Sequence, residues 1–528
     1  MTFIFYNGVK NHFGGDILEK NLFGFLIIVC LLIHSHFYPS QAFANMDDGP
    51  KEEQLKAVEA FVAEQFKEAD IVGGSYAIVY QDKIISSKGL GYSDLKTKKQ
   101  ATAETVYAIA SITKSLTATA ILQLQEKGKL SINDPVQNYL PWFTYANKEK
   151  SKRVTIEHLL TQSAGVSRYK ADGSIYENEK KNRDSIESAI KALRTVPMNA
   201  EPGEKGQYCN TCYNTLGLLI EKTSGKSYYE YMESSIFDTL KMDNTVYGKN
   251  LDQLNNVDIA KEYSWFFGFR TDRFLNYKTF GRSQDPEGGI YTNVIDLAKY
   301  VSAVLGYSEN KLLSSNVQHS MFEGKVLSEQ SPWQYTTGSY TTGEIAGEKV
   351  VYKGGDGIGS SSGIMLMPKK ELGIVLITGE PSDIIFDIGS GLVEILAGDN
   401  PGPIKHSADF FQMAGFVMLA VTIISFIIVI MLASSIYRRY KVKGRKIKRR
   451  WVQILASLIL LAITSILIYI LFAARLTQAG FYGFPIDWAV GLGSLAMALL
   501  LSTLYYIYLS IFGTVQYQSR SAKTSSLF

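Results

Sequence analysis

Ser111-Ile112-Thr113-Lys114 places a hydroxyl and an amine three residues apart at the head of an apolar run, Leu116-Thr117-Ala118-Thr119-Ala120-Ile121-Leu122. Residues at i and i+3 share one helix face, so the Lys114 amine reaches the Ser111 hydroxyl without help from distant chain. A serine hydroxyl is a weak nucleophile near neutral pH, and an adjacent amine kept neutral by burial can take its proton. A helix N-terminus beneath the serine favours the negative charge that develops during attack. The spacing alone is unspecific. About two copies of Ser-x-x-Lys are expected by chance in a chain this long, and five occur, at Ser93, Ser111, Ser167, Ser188 and Ser308. Only the copy at Ser111 opens an apolar helix.

Two further segments supply partners. Tyr208-Cys209-Asn210 follows the turn Glu201-Pro202-Gly203-Glu204 and leads into a second apolar stretch, while Lys353-Gly354-Gly355 ends the strand-like Lys349-Val350-Val351-Tyr352. Tyr-x-Asn recurs elsewhere, at Tyr145 and Tyr291 among others, but Lys-x-Gly occurs only at Lys353. Taken singly, Tyr208 reads as a packing aromatic, Lys353 as a solvated strand end and Gly354-Gly355 as a turn. Taken in order, Ser-x-x-Lys, Tyr-x-Asn and Lys-x-Gly resemble the three motifs of the penicillin-recognising serine hydrolases, the class C β-lactamases and D-alanyl-D-alanine peptidases with their esterase and aminopeptidase relatives. Thr155-Ile156-Glu157-His158-Leu159-Leu160, Phe237-Asp238-Thr239-Leu240-Lys241-Met242 and Pro286-Glu287-Gly288-Gly289 resemble secondary segments of the same family. The likeness runs from about residue 57 to residue 397.

That resemblance implies roles. Ser111 is the nucleophile, and Lys114 and Tyr208 share the proton work, Tyr208 as a phenolate favoured by Lys114 and Lys353. Asn210 orients Lys114 and hydrogen-bonds the substrate amide. The backbone N–H groups of Ser111 and Asp356 form an oxyanion hole, and Lys353, Gly355 and Asp356 line the substrate site. No metal or cofactor is expected. Cys209 and Cys212 have no further ligands for a zinc site; Cys209 reads as a small packing residue, with a local disulfide open in an oxidising compartment. Beyond the N-terminal segment only His158, His319 and His406 remain, and His158 reads as packed or capping, which disfavours a Ser-His-Asp triad.

The elements needed to position these groups follow from periodicity. A helix is expected over 53–68, strands over 75–80 and 83–89, late strands over 350–353, 363–367 and 373–378, and a helix over 382–397. Strands at both ends with helices between predict an α/β fold, an antiparallel sheet flanked by helices with a helical subdomain. An apolar run of twelve residues at 22–33, preceded by Lys10 and Lys20 and followed by Ala42-Phe43-Ala44, reads as a signal peptide over 1–44. The hydrolase domain then covers 45–398 and a linker 399–409. Three uncharged apolar stretches, 410–437, 452–474 and 488–512, each suffice to span a bilayer. The loop 438–450 between the first two carries nine basic residues and no acidic one, which places it in the cytoplasm, with the tail 513–528. Topology accounts for the basic tract, and no nucleic-acid partner is expected. The formal net charge of +4 conceals a remainder that is net acidic.

The combined expectation is a multi-pass membrane protein with an extracytoplasmic serine peptidase or amidase acting through an acyl-Ser111 intermediate. The three-span tail resembles the peptidases that remove an N-acyl-D-asparagine cap from non-ribosomal peptide prodrugs, as in the colibactin and zwittermicin pathways. It implies an acyl-D-amino-acid substrate and a membrane exporter as partner. The colibactin-type peptidases carry a serine where this chain has Asn210, so a cell-wall D-alanyl-D-alanine peptidase or β-lactamase-like hydrolase stays open. A β-lactam-binding membrane sensor without turnover is the reading from another class.

Overall fold

The computed structural model describes residues 49–179, 185–272, 282–357, 359–405, 410–441 and 486–512. The chain divides into two units, Met1–Lys51 and Glu52–Phe528. The expected signal peptide lies outside the described residues, so everything below concerns the second unit.

Three strands open it: β1 (Gly73–Tyr80), β2 (Lys83–Asp94) and β3 (Lys99–Gln100). Five short strands from the middle of the chain stay out of the main sheet: β4 (Tyr107–Ala108), β5 (Val246–Tyr247), β6 (Tyr263–Phe266), β7 (Phe269–Asp272) and β8 (Ile290–Thr292). The late strands are β9 (Gly324–Leu327), β10 (Gln334–Thr336), β11 (Thr341–Ile345), β12 (Glu348–Asp356), β13 (Ser361–Met367) and β14 (Leu372–Thr378). The main sheet has nine strands in the order β3-β2-β1-β14-β13-β12-β11-β10-β9. Every pairing in it is antiparallel. Each expected strand is present, and β14 from the C-terminal part pairs with β1 from the N-terminal part. Strands β9 to β11 carry no clear sequence signal: they are short and mostly exposed or half-buried, without the clean apolar alternation that marks a strand.

Alternation along the central strands divides the core in two. Tyr76, Ile78, Met365, Met367, Ile374 and Leu376 pack with helices Glu52–Glu68 and Ile385–Ala397 on one face. Ala77, Val79, Ile364, Leu366, Val375 and Ile377 belong to the helical body on the other. Burial on both faces explains why Ile364–Met367 in β13 and Ile374–Ile377 in β14 are continuous apolar runs rather than alternating.

That helical body positions the nucleophile. The chain leaves β4, passes through a 3-10 turn at Ala110–Ile112 and enters the helix Thr113–Glu126. Ser111 therefore sits in the turn and Lys114 in the first helical turn, slightly offset from the expected single helix. Ala110, just before the serine, has φ of +43°, a left-handed conformation that costs about 1–2 kcal/mol for a residue with a Cβ. On the other side, β12 extends past the end of its pairing with β11, so Lys353 to Asp356 pair only with β13 and turn their other edge to the serine turn. A Cβ on Gly355 would lie 2.3 Å from the Ile109 carbonyl oxygen and 3.1 Å from the Ile112 nitrogen.

Two long helices follow the catalytic unit, Phe410–Lys441 and Ile486–Phe512, and they pack against each other. Within the first, Gln412–Leu432 is long and apolar enough to cross a membrane; the second contains a shorter apolar stretch, Leu492–Tyr505. The expected middle span, 452–474, and residues 442–450 of the basic loop lie outside the described residues.

Because Gly355 touches backbone that has no room to retreat, Gly355→Ala is expected to destabilise the fold by about 1–3 kcal/mol. Its effect on turnover should be larger, since the shift falls on the serine turn. Urea unfolding and steady-state kinetics check this; a wild-type midpoint with wild-type turnover would contradict the close approach.

Candidate active site

Ser111, Lys114 and Tyr208 meet at the floor of a cleft of about 550 Å³. Ser111 Oγ lies 2.5 Å from the Tyr208 hydroxyl and accepts a hydrogen bond from Lys114 Nζ at 2.9 Å. Lys114 is fully buried, and its other two donors go to the Glu287 carboxylate (2.9 Å) and the Glu287 backbone carbonyl (2.7 Å). An ammonium has three N–H donors, and all three are used. Glu287 is itself only 3% exposed, so this is a buried ion pair. It is held in place from the nucleophile helix: Thr117 Oγ1 donates to the Pro286 carbonyl at 2.7 Å, and Ile290 N donates to Thr113 Oγ1 at 3.3 Å.

This geometry corrects the expected protonation of Lys114. Burial alone pushes the ammonium down, but the Glu287 carboxylate, aided by Tyr208, outweighs it and raises Lys114 above the ordinary lysine value. The pairing with Glu287 favours the ammonium of Lys114, a hydrogen-bond donor to Ser111, over a neutral base. The amine whose charge is disfavoured is Lys353. It is pushed well below the lysine range by burial first and by the Lys114 charge second, and its Nζ makes no hydrogen bond or ion pair among the described residues. Tyr208 is left as the group placed to receive the serine proton. Three basic side chains surround its ring, Arg168 at 4.7 Å, Lys114 at 5.1 Å and Lys353 at 5.6 Å from the centroid.

Asn210 is a second correction. It is buried, and its Nδ2 donates to Asp172 Oδ2 at 2.9 Å instead of contacting Lys114. Arg168 approaches the same Asp172 oxygen at 3.6 Å. Burial and then the Glu287 charge raise the Asp172 carboxyl to about 7. Its Oδ1 is buried without a hydrogen-bond partner, which suits a protonated acid.

The loop carrying Tyr208 is pinned at both ends. Gln162 holds a left-handed φ of +55°, its carbonyl accepts from Gln207 N (2.8 Å), and its side chain accepts from Cys209 N (3.0 Å). Cys209 caps the helix Asn210–Ser224, accepting from Cys212 N at 3.1 Å, and the two cysteines form a disulfide. The packing role expected for Cys209 therefore comes with the bond the sequence left open. His158 caps its own helix reciprocally with Thr155, the capping role expected of it.

Lys353, Asp356 and Ser111 line the cleft with Arg168, Tyr335 and Asp383. Gly355 forms the contact with the serine turn described above. Glu287, Asp172 and Arg168 escaped sequence reasoning. Glu287 is 173 residues from Lys114 and carries no spacing signal. Pro286-Glu287-Gly288-Gly289 resembles the family's Gly-Gly strand entry, a likeness that gives Glu287 no role of its own. Ser167-Arg168-Tyr169-Lys170 was set aside as a polar copy of Ser-x-x-Lys.

Comparison with known proteins identifies the family and the fold. The family model described as Beta-lactamase matches residues 58–383. The chain is 27% identical over 329 residues to Protein flp of Staphylococcus aureus, covering 62% of this chain and 63% of that protein. It is 28% identical over 280 residues to the teichoic acid D-alanine hydrolase of the same organism, covering 52% of this chain and 64% of that one. The chain thus spans under two thirds of the length of these curated relatives. Among solved structures, the octameric penicillin-binding protein homologue from Pyrococcus abyssi is 28% identical with a TM-score of 0.57, covering 66% of this chain and 78% of that one. FmtA from Staphylococcus aureus, at 23% identity and a TM-score of 0.53 over 68% of this chain and 95% of that one, shares the fold.

Two outcomes test the electrostatics. Glu287→Gln strands a buried ammonium and should cost about 3–5 kcal/mol of stability. Adding Lys114→Met should recover most of that loss while leaving no acylation; additive destabilisation of the two changes would refute the pair. Asp172 gives a pH signature. Between its ordinary value and about 7 the unfolded chain has released a proton that the folded chain keeps, so stability falls as pH rises through that window. Asp172→Asn should match the wild type near pH 4 and exceed it near pH 8 in thermal melting; the reverse order would show that Asp172 is ionised and stabilising.

Proposed function

The chain belongs to the beta-lactamase family, and on that footing we propose that it is a membrane-anchored serine hydrolase that removes a D-aminoacyl group through an acyl-Ser111 intermediate. The observation that carries this reading is Ser111 Oγ held between the Tyr208 hydroxyl and a fully satisfied Lys114 ammonium. With Tyr208 acting as a phenolate, Ser111 Oγ bonds to the substrate carbonyl carbon as its proton passes to the Tyr208 oxygen. Collapse of the tetrahedral intermediate breaks the bond to the leaving alcohol or amine, which takes that proton back from Tyr208. Water then attacks the acyl-serine by the same route in reverse, releasing the acid. Lys114 stays charged throughout and stabilises Oγ by hydrogen bonding. The backbone N–H groups of Ser111 and Asp356 serve as the oxyanion hole, and Lys353 and Gly355 line the substrate strand.

A D-alanyl ester is the substrate class we favour, supported by the relative named for teichoic acid D-alanine hydrolysis. The second reading is cleavage of an N-acyl-D-asparagine amide from a peptide prodrug delivered to an exporter. It is supported by the long apolar helices that follow the catalytic unit. Either substrate requires the cleft to lie outside the cell, as the signal peptide and basic loop imply.

Purified full chain is incubated with a D-alanyl ester of glycerol phosphate, an N-acyl-D-Asn amide, a D-Ala-D-Ala peptide and a chromogenic cephalosporin. Ester turnover with a mass adduct on Ser111 is expected, and Ser111→Ala should abolish both while keeping the wild-type melting curve. Turnover of the amide alone selects the prodrug reading. A stable adduct with the cephalosporin and no turnover of any substrate would overturn the hydrolase in favour of a sensor.

A further inference from the structure

The β6–β7 hairpin is not part of the catalytic machinery, yet its composition is unusual for a solvated turn. Tyr263-Ser264-Trp265-Phe266-Phe267-Gly268-Phe269 has five aromatic residues in seven. Its two-residue tip has positive φ at both positions, +51° at Phe267 and +81° at Gly268. Such a turn favours asparagine followed by glycine, and a phenylalanine in the first position is strained. Phe269 is 59% exposed.

The tip rests on the first long helix. Phe269 and Phe416 meet edge to face with ring centroids 5.6 Å apart. A Cβ on Gly415 would lie 2.3 Å from Gly268 N, and one on Gly268 would lie 2.5 Å from the Phe416 ring, so the contact depends on a glycine from each side. Both Gly415 and Phe416 fall in the first turn or so of Gln412–Leu432, the segment able to cross a bilayer. The hairpin tip is therefore level with the start of that span, the depth at which aromatic side chains are enriched at membrane interfaces. One pair behind the tip, Arg270 stacks on Trp265 (4.7 Å) and binds Glu380 through Nε at 2.8 Å. Glu380 directly precedes Pro381, Ser382 and Asp383, which line the catalytic cleft.

We propose that the β6–β7 hairpin is a membrane-surface element. Its aromatic tip sits in the headgroup–acyl boundary beside the first long helix and holds the cleft rim over that boundary, so that the enzyme acts on acyl esters or amides carried by the bilayer. The occupant of the exposed aromatic face is lipid, because the face continues the apolar surface of the helix it rests on. This inference rests on the membrane-anchored reading above.

Full-length protein is reconstituted in phosphatidylcholine–phosphatidylglycerol vesicles, with and without lipids brominated near the glycerol backbone. The emission difference between wild type and Trp265→Phe isolates Trp265, and bromination should roughly halve it. In parallel, Phe267→Asn with Phe269→Ser relaxes the tip and removes its apolar surface. Hydrolysis of a soluble D-alanyl ester should stay within about twofold of wild type, while hydrolysis of the same ester on a lipid-anchored glycerol phosphate falls about tenfold. Equal effects on both substrates, or an unquenched Trp265 in protein that floats with the vesicles, would overturn the hairpin proposal alone. Failure of the full chain to float would overturn the membrane reading and the proposal with it.

Discussion

The catalytic geometry depends on one buried ion pair, Lys114 with Glu287. A lysine with no exposed surface beside a serine is unstable as a cation and useless as a fixed donor unless something restores its charge. Glu287 does this with two acceptors, its carboxylate and its own backbone carbonyl, leaving a single N–H for Ser111. With Glu287 favouring its ammonium, Lys114 is disfavoured as the acceptor of the Ser111 proton, and the hydroxyl oxygen at 2.5 Å on the other side belongs to Tyr208. Burying two charges costs several kcal/mol per ion before their attraction is counted, which identifies the pair as a feature kept for the site and not for stability.

The fold exists around that pair in a specific sense. Its three parts come from distant sequence: the serine turn from the N-terminal half, Glu287 from the segment before β8, and Tyr208 from the head of a central helix. None is held by its own element alone. Thr113 and Thr117 bind the Glu287 segment to the nucleophile helix, Gln162 binds the Tyr208 loop to the segment before it, and Gly355 lets β12 close against the serine turn. The nine-stranded sheet supplies the rigid side of this arrangement, since β12 is paired with β11 along Glu348–Tyr352 and with β13 along Val351–Asp356, and the edge that β11 leaves open faces the serine turn.

The sequence made the scaffold and the three signature segments legible because both are written in local terms. Two-residue alternation or continuous apolar runs marked β1, β13 and β14, and Ser-x-x-Lys is an i, i+3 relation within one turn. What it hid was relational. Glu287 is an unremarkable acid until the fold brings it to Lys114, and Asn210 was assigned to Lys114 by family resemblance when Asp172, on another helix, lay closer. Protonation was hidden for the same reason: burial disfavours charge on both lysines, and only the position of Glu287 shows why Lys114 is raised while Lys353 is lowered.

The two lysines therefore divide the labour by their surroundings. Lys114 has its counter-ion built in and keeps its charge whatever occupies the cleft. Lys353 lines the cleft with no ion-pair partner among the described residues, and burial and the Lys114 charge both disfavour its ammonium. Negative charge arriving in the cleft is what its ionisation lacks. A tetrahedral intermediate brings such charge and the intact substrate carbonyl does not, so the electrostatic gain at Lys353 grows as the reaction proceeds. Glu287 creates this asymmetry: without it, the two amines would compete for one proton in the same buried volume, and neither would be a dependable donor to Ser111.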